Sequence, residues 1–289
     1  PFPMRTIDEA EVSKLLRGVE IPPCPAVLAS LAQEMHRTDA SSVKIAKLIS
    51  QDVGLAAGVI KCANSPLFNT GAKVGSIGEA LGRLGFNNVL NLVVNELLHK
   101  SLSQKDGQAM DRFWDSATYC AGVCAKLAEI LPGTTRDTAY TFGLFHDCGI
   151  PILMRRYPDY KRTLGEANST LDRTFTEVED SIHGTNHATI GYLMARNWGL
   201  AETVSAAILS HHDFSVFDSG SGLSDESCTL IGFALLAERI VGTFLRLKEE
   251  LEWERGKSAV AGFFGLNETD LNDIVDDVLY KLDASRKAA

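Results

Sequence analysis

The stretch Thr141-Phe142-Gly143-Leu144-Phe145-His146-Asp147-Cys148-Gly149 closes an apolar run with a histidine directly beside an aspartate. Helical spacing places Ala139, Phe142, Gly143 and His146 on one face, with Asp147 one turn after Gly143. Three more histidines follow, His187, His211 and His212. His187 leads Ile190, Met194 and Trp198 at helical spacing, and His211 ends the inward stripe of Val204, Ala207 and Ile208. Neutral imidazoles and carboxylates held on rigid helices ligate a divalent metal. The same groups can instead satisfy one another by hydrogen bonds as the remnant of such a site. Both readings stay open at this point.

Toward the N-terminus, a helix with the stripe Phe113, Ser116, Ala117, Cys120, Cys124, Leu127 and Leu131 precedes this stretch and stops at Pro132-Gly133. Ser116 is a small polar residue within that buried stripe. A short helix is expected within residues 1–20, carrying Ile7, Val12, Leu15 and Leu16. The run Ile21-Pro22-Pro23-Cys24-Pro25 cannot be helix interior, because proline fixes φ and removes a donor. Five helical patterns follow before Ser103–Asp106, a polar joint; among their signals are a stop at Asn64-Ser65-Pro66 and a capping box at Ser76 and Glu79.

Toward the C-terminus, helices are expected around Tyr160–Ala167 and Thr174–His183, and again over Thr229–Leu247, where Glu238 edges an apolar stripe. The charge-dense run Arg246–Lys257 reads as a solvated helix face. Asp218–Ser224 reads as a loop, and an amphipathic helix over Asn267–Leu282 ends the pattern. No strand alternation occurs between turn signals. The expected fold is therefore all-α and multi-helical, with no significant sheet. It divides into an N-terminal helical bundle over residues 1–104 and a second helical lobe over 105–289. Loops 64–75 and 213–228 are candidate contact surfaces.

The chain has 289 residues, 45% of them hydrophobic, and a formal net charge of -9, so nucleic acid is not the expected ligand. The six cysteines form no CxxC pair and read as buried reduced thiols. No apolar run reaches about 20 residues, so no membrane association is expected and a cytoplasmic location is the default. The chain opens at Pro1 without a methionine, which fits a fragment of a longer protein. His36, His99 and His183 have no partner pattern.

Several segments, in order, carry a resemblance. They are Ile21-Pro22-Pro23-Cys24-Pro25, Ile49-Ser50-Gln51-Asp52, Cys62-Ala63-Asn64-Ser65-Pro66, Ser76 to Gly85, Gly143 to Gly149, His187-Ala188-Thr189-Ile190-Gly191, Trp198-Gly199-Leu200 and His211-His212. Together they resemble the HDOD (HD-related output domain) family over roughly residues 17–245. That resemblance implies an HD-like fold, similar to the HD-type metal phosphohydrolases. It also implies a bacterial signal-transduction output module acting by protein contact, often joined to a receiver or sensory domain. Carried over from the catalytic relatives, the central pair is His146 and Asp147, the later histidines are His187 and His211 or His212, and the final aspartate position holds Glu238. The first histidine position, after Phe113-Trp114-Asp115, holds Ser116, a poor substitute for imidazole. The implied site is degenerate and retains enough ligands for one divalent metal ion. Two function classes follow: a non-catalytic, response-regulator-like effector, and a metal-dependent phosphohydrolase acting on a nucleotide or cyclic dinucleotide. No Gly-Tyr-Pro segment follows His146-Asp147 to favour the cyclic-dinucleotide form.

Overall fold

A computed structural model of the chain describes residues 18–35, 37, 41–65, 68, 73–102, 108–218, 221–247 and 251–288. The expected helix over residues 1–20 and the joint at Ser103–Asp106 lie outside them, apart from Gly18, Val19 and Glu20, and so do His36 and most of the loop Leu67–Gly75. Among the described residues all regular structure is helical and no strand is present. The chain separates into two compact units, Pro23–Ser103 with the chain from Tyr280 onward, and Gln104–Leu279 with the chain up to Pro22.

In the first unit the chain stays extended through the prolines and turns helical at Ala26. Its helices are α1 (Ala26–Met35), α2 (Ser42–Ser50), α3 (Val53–Ala63), α4 (Ile77–Leu84) and α5 (Phe86–Leu102). Asp52 caps α3 by accepting the Leu55 N–H at 3.0 Å. Ser76 caps α4 by accepting the Glu79 N–H at 3.1 Å, while Glu79 accepts from Gly75 N at 2.8 Å. The expected capping box is therefore shifted by one residue at its return bond. Asn64 ends α3, and its amide exchanges two bonds with the Val74 backbone, at 2.7 and 2.9 Å. The helix stop thus also pins the chain ten residues further on. Leu31, Ile49, Val59, Leu92, Val93 and Leu98 are fully buried and form this unit's core.

The second unit runs through α6 (Gln108–Leu127), α7 (Arg136–Phe145), α8 (Gly149–Arg156), α9 (Tyr160–Ala167), α10 (Phe175–His183), α11 (His187–Asn197) and α12 (Glu202–Ser210). A 3-10 turn at Phe214–Phe217 leads to α13 (Asp225–Phe244) and α14 (Leu251–Phe264); α15 (Glu268–Ala288) crosses the division between the units at Leu279. Helices α6 and α7 approach closely because Gly143 has no side chain: a Cβ there would lie 2.9 Å from both Ala121 Cα and Cys120 O. Helix α13 is apolar and long enough to cross a membrane by length and composition, but 78% of that apolar window is buried inside the fold. It packs on α6, α7, α12 and α14 as the central helix of the unit. Cys120, Cys124, Cys148 and Cys228 are buried free thiols, as expected from the sequence, whereas Cys24 and Cys62 are free but only half-buried.

Two expectations need correction. His146 and Asp147 are not inside a helix; with Cys148 they form the turn between α7 and α8. The Arg246–Lys257 run is not a solvated face, since Glu252, Trp253 and Gly256 are buried in α14 with Val260 and Ala261 behind them. Charge density hid an inward stripe at helical spacing, because the charges between occupy the outer face.

Candidate metal centre

Helix ends build most of the site, and Glu238 joins it from the interior of α13. His146 caps the C-terminus of α7, His211 caps the C-terminus of α12, and His187 opens α11. Helix C-termini carry partial negative charge, so two of these positions favour a cation before any side chain is counted. The backbone carbonyls there also orient the rings. His146 Nδ1 donates to Gly143 O at 2.8 Å and His211 Nδ1 donates to Ile208 O at 2.7 Å. A carbonyl only accepts, so each Nδ1 carries a proton and each Nε2 faces inward. His187 follows the same logic with a carboxylate, its Nδ1 lying 2.6 Å from Glu179 Oε2.

Three Nε2 atoms therefore converge on Asp147. His187 and His211 Nε2 lie 3.4 and 3.5 Å from Asp147 Oδ1, and His146 Nε2 lies 3.4 Å from Oδ2. Glu238 Oε1 stands 3.3 Å from His146 Nε2 on the other side. The Nε2 atoms of His187 and His211 are only 3.3 Å apart. Two lone pairs at that distance repel unless a cation lies between or beside them. His146 Nε2 is buried and makes no hydrogen bond of normal geometry. The ring of His212 stacks flat on Phe175 at 5.0 Å, with Nε2 3.0 Å from His187 Nε2 and Nδ1 3.3 Å from Glu252 Oε2.

The charges respond to this crowding. Burial opposes charge on His146, but Asp147 and Glu238 together outweigh it and raise the imidazole to about 9. Burial likewise opposes charge on His212, and Glu252 raises it to about 9. Burial and the neighbouring His212 push His211 down to about 3, leaving it neutral. Burial works against the Asp147 anion too, yet His146, His211 and His187 hold its carboxyl far below the usual range.

The residues singled out in the sequence, His146, Asp147, His187, His211, His212 and Glu238, all meet here. Ser116, which the resemblance reads as standing where catalytic relatives place a histidine, lines the same cavity of about 170 Å³. A serine reaches the cavity wall but brings no imidazole. The sequence reading missed Glu179 and Glu252, both buried against site histidines. Glu179 could have been found as the inward residue of α10 opposite Thr174 and Glu177, whose reciprocal capping box fixes that helix's face. Glu252 gave no signal beyond its place in a charged run.

Gly149 shows how tightly the centre is assembled. A Cβ at this position would lie 2.1 Å from His187 O, so the start of α8 can touch the start of α11 only with glycine there.

Fold and centre together define an all-helical domain built around a histidine–aspartate cluster at converging helix ends. The HDOD domain model matches residues 21–214, and the chain belongs to that family. A protein of Treponema pallidum (strain Nichols), described as uncharacterised, is 27% identical over 199 residues, which are 67% of this chain and 38% of that protein. The chain thus spans well under half the length of this curated relative. Among solved structures, an HDOD domain protein of unknown function from Geobacter sulfurreducens superposes with a TM-score of 0.71 at 21% identity, covering 96% of each chain. A candidate phosphohydrolase from Shewanella amazonensis SB2B gives 0.70 at 21% identity, covering 97% of this chain and 98% of that one. A candidate signal transduction protein from Marinobacter aquaeolei VT8 gives 0.68 at 22% identity, with 98% of this chain matched to 61% of that one. At these identities the structures establish the fold.

Proposed function

We propose that this chain is a signal-transduction module whose histidine–aspartate centre holds one divalent metal ion and turns over no phosphodiester. It acts through contact with a protein partner or a linked receiver or sensory domain, in the cytoplasm. The donor set fits an ion: three imidazole nitrogens already bearing their protons on the far side, with Asp147 and Glu238 between and beside them. The orphaned His146 Nε2 is the atom that such an ion would satisfy. When bound, the ion would supply fixed positive charge and Lewis acidity toward a phosphoryl oxygen. The chain's own residues hold the ends of α7, α11 and α12 together around that charge.

The observation that carries the non-catalytic reading is the composition of the cavity wall. Among the described residues lining it, Asp147, Glu238 and Glu252 are carboxylates, no lysine or arginine is present, and the imidazoles raised to about 9, His146 and His212, each already face one of those carboxylates. A phosphoryl substrate brings further negative charge, and its transition state needs positive groups or a second ion. Ser116 removes the donor that a second ion would need. The greater length of the Treponema relative supports a module carried within larger proteins.

A phosphohydrolase acting on a nucleotide or cyclic dinucleotide is the second reading. It is favoured by the retained donor set at an open cavity. The test is elemental analysis of purified protein beside turnover of bis-p-nitrophenyl phosphate and a panel of cyclic dinucleotides with Mn²⁺. Near-stoichiometric metal without turnover is the expected result. Turnover that disappears in Asp147→Ala would establish the enzyme instead.

A further inference from the structure

Glu179 meets the cluster from behind, on the Nδ1 side of His187. It is fully buried, 0% exposed, as is His187. Oε2 accepts from His187 Nδ1 at 2.6 Å and from the His187 backbone N–H at 3.3 Å. Oε1 accepts the hydroxyl of Tyr160, itself buried in α9. Among the described residues no lysine or arginine forms an ion pair with it, and its partner is His187.

We propose that Glu179, itself held by Tyr160, is the positioning residue of the centre. It fixes His187 with the proton on Nδ1 and the Nε2 lone pair toward the cavity, and it supplies buried counter-charge for the ion. This rests on the one-ion reading above. A histidine ligand binds through one nitrogen only, and the partner of the other nitrogen decides which. Oε2 already accepts the His187 backbone N–H, so it meets the ring as an acceptor too and selects the tautomer with the proton on Nδ1. Its two contacts with one residue, ring and backbone, also fix the ring at the first position of α11. A fully buried carboxylate with no lysine or arginine beside it is costly to keep ionised. A cation beyond the imidazole offsets that cost through the ring, so ion affinity includes the Glu179 charge. Tyr160 donates to the other oxygen and prevents the carboxylate from rotating away from His187.

The test uses the full chain with Mn²⁺ as probe for affinity and ¹⁵N imidazole spectra of the ion-free protein for the tautomer. Glu179→Gln keeps the shape and removes the charge. Its expected effect is a loss of roughly 10–100-fold in Mn²⁺ affinity, with His187 shifting toward the Nε2–H form. Tyr160→Phe keeps the ring and should lose less, about 3–10-fold. It also serves if Glu179→Gln does not fold. Mn²⁺ binding by Glu179→Gln within about twofold of the parent would overturn the proposal, as would a parent His187 carrying its proton on Nε2. A parent that binds no Mn²⁺ would sink the one-ion reading, and the tautomer spectrum would then decide the role of Glu179 by itself.

Discussion

At the residue scale, Asp147 is the hinge of the centre, because three imidazoles address its two oxygens. Asp147→Ala removes the charge that all three share. The expected result is loss of ion affinity of at least about 100-fold, beyond what outer-shell changes cause, measured by Mn²⁺ titration. Among the described residues the ion pair of Glu238 in the centre is with His146. Glu238→Gln should therefore cost less than Asp147→Ala in the same titration, and an equal loss would mean that Glu238 is the primary carboxylate. Gly149 makes a different demand. Gly149→Ala forces a methyl to within 2.1 Å of His187 O, against backbone that cannot swing aside. Overpacking of this kind costs about 1–3 kcal/mol, read by urea unfolding, and the shift of His187 should weaken Mn²⁺ binding as well. An Ala variant with parental stability and affinity would mean that α8 and α11 separate easily.

At the scale of elements, most of the helices were legible in the sequence, because stripes, caps and stops agree. The Phe113–Leu127 part of the stripe became α6, which stops four residues short of Leu131, Ser76 capped α4, and Asn64 ended α3. The site residues were legible as well, since each histidine stood on or next to an apolar stripe. Their placement was not. Periodicity carried His146 along with Phe142, but hydrogen bonding stops the helix at Phe145, and the turn is what aims Asp147 inward. Helix α14 was misread for a related reason: its charges dominate composition while a few inward positions decide packing. Trp253 is the clearest of these, buried at 7% exposure with the Arg239 guanidinium 5.7 Å from the centre of its ring. Trp253→Ala should destabilise the second unit by about 3–5 kcal/mol in denaturant unfolding. A change below about 0.5 kcal/mol, typical of surface sites, would restore the solvated-face reading.

At the scale of the whole molecule, the one-ion reading makes the centre link folding to cation and proton concentration at once. An ion that binds only the folded chain stabilises it by about 2.7 kcal/mol at a hundred times its Kd. Chelation should accordingly lower Tm by several degrees at pH 8, since each kcal/mol moves a chain of this size by about 2–4 °C. The size of that gap depends on pH through His146, and the sign follows from its raised value of about 9. In the ion-free chain the proton on His146 sits between Asp147 and Glu238 as the local cation. Its stabilising effect is complete below the unfolded value of 6.5 and is lost as pH rises through about 9. Ion binding must displace that proton, whereas His211, held down at about 3, has none to give up across this range. Lower pH therefore strengthens the competitor and weakens the ion. The difference in Tm between Mn²⁺-loaded and chelated protein should shrink steadily from pH 8.5 to pH 6, and Mn²⁺ binding at pH 7.5 should release protons in calorimetry across buffers of different ionisation enthalpy. A Tm gap that is constant over this range, with no proton release, would place the ion away from His146 and leave the two carboxylates beside it as a purely proton-filled site.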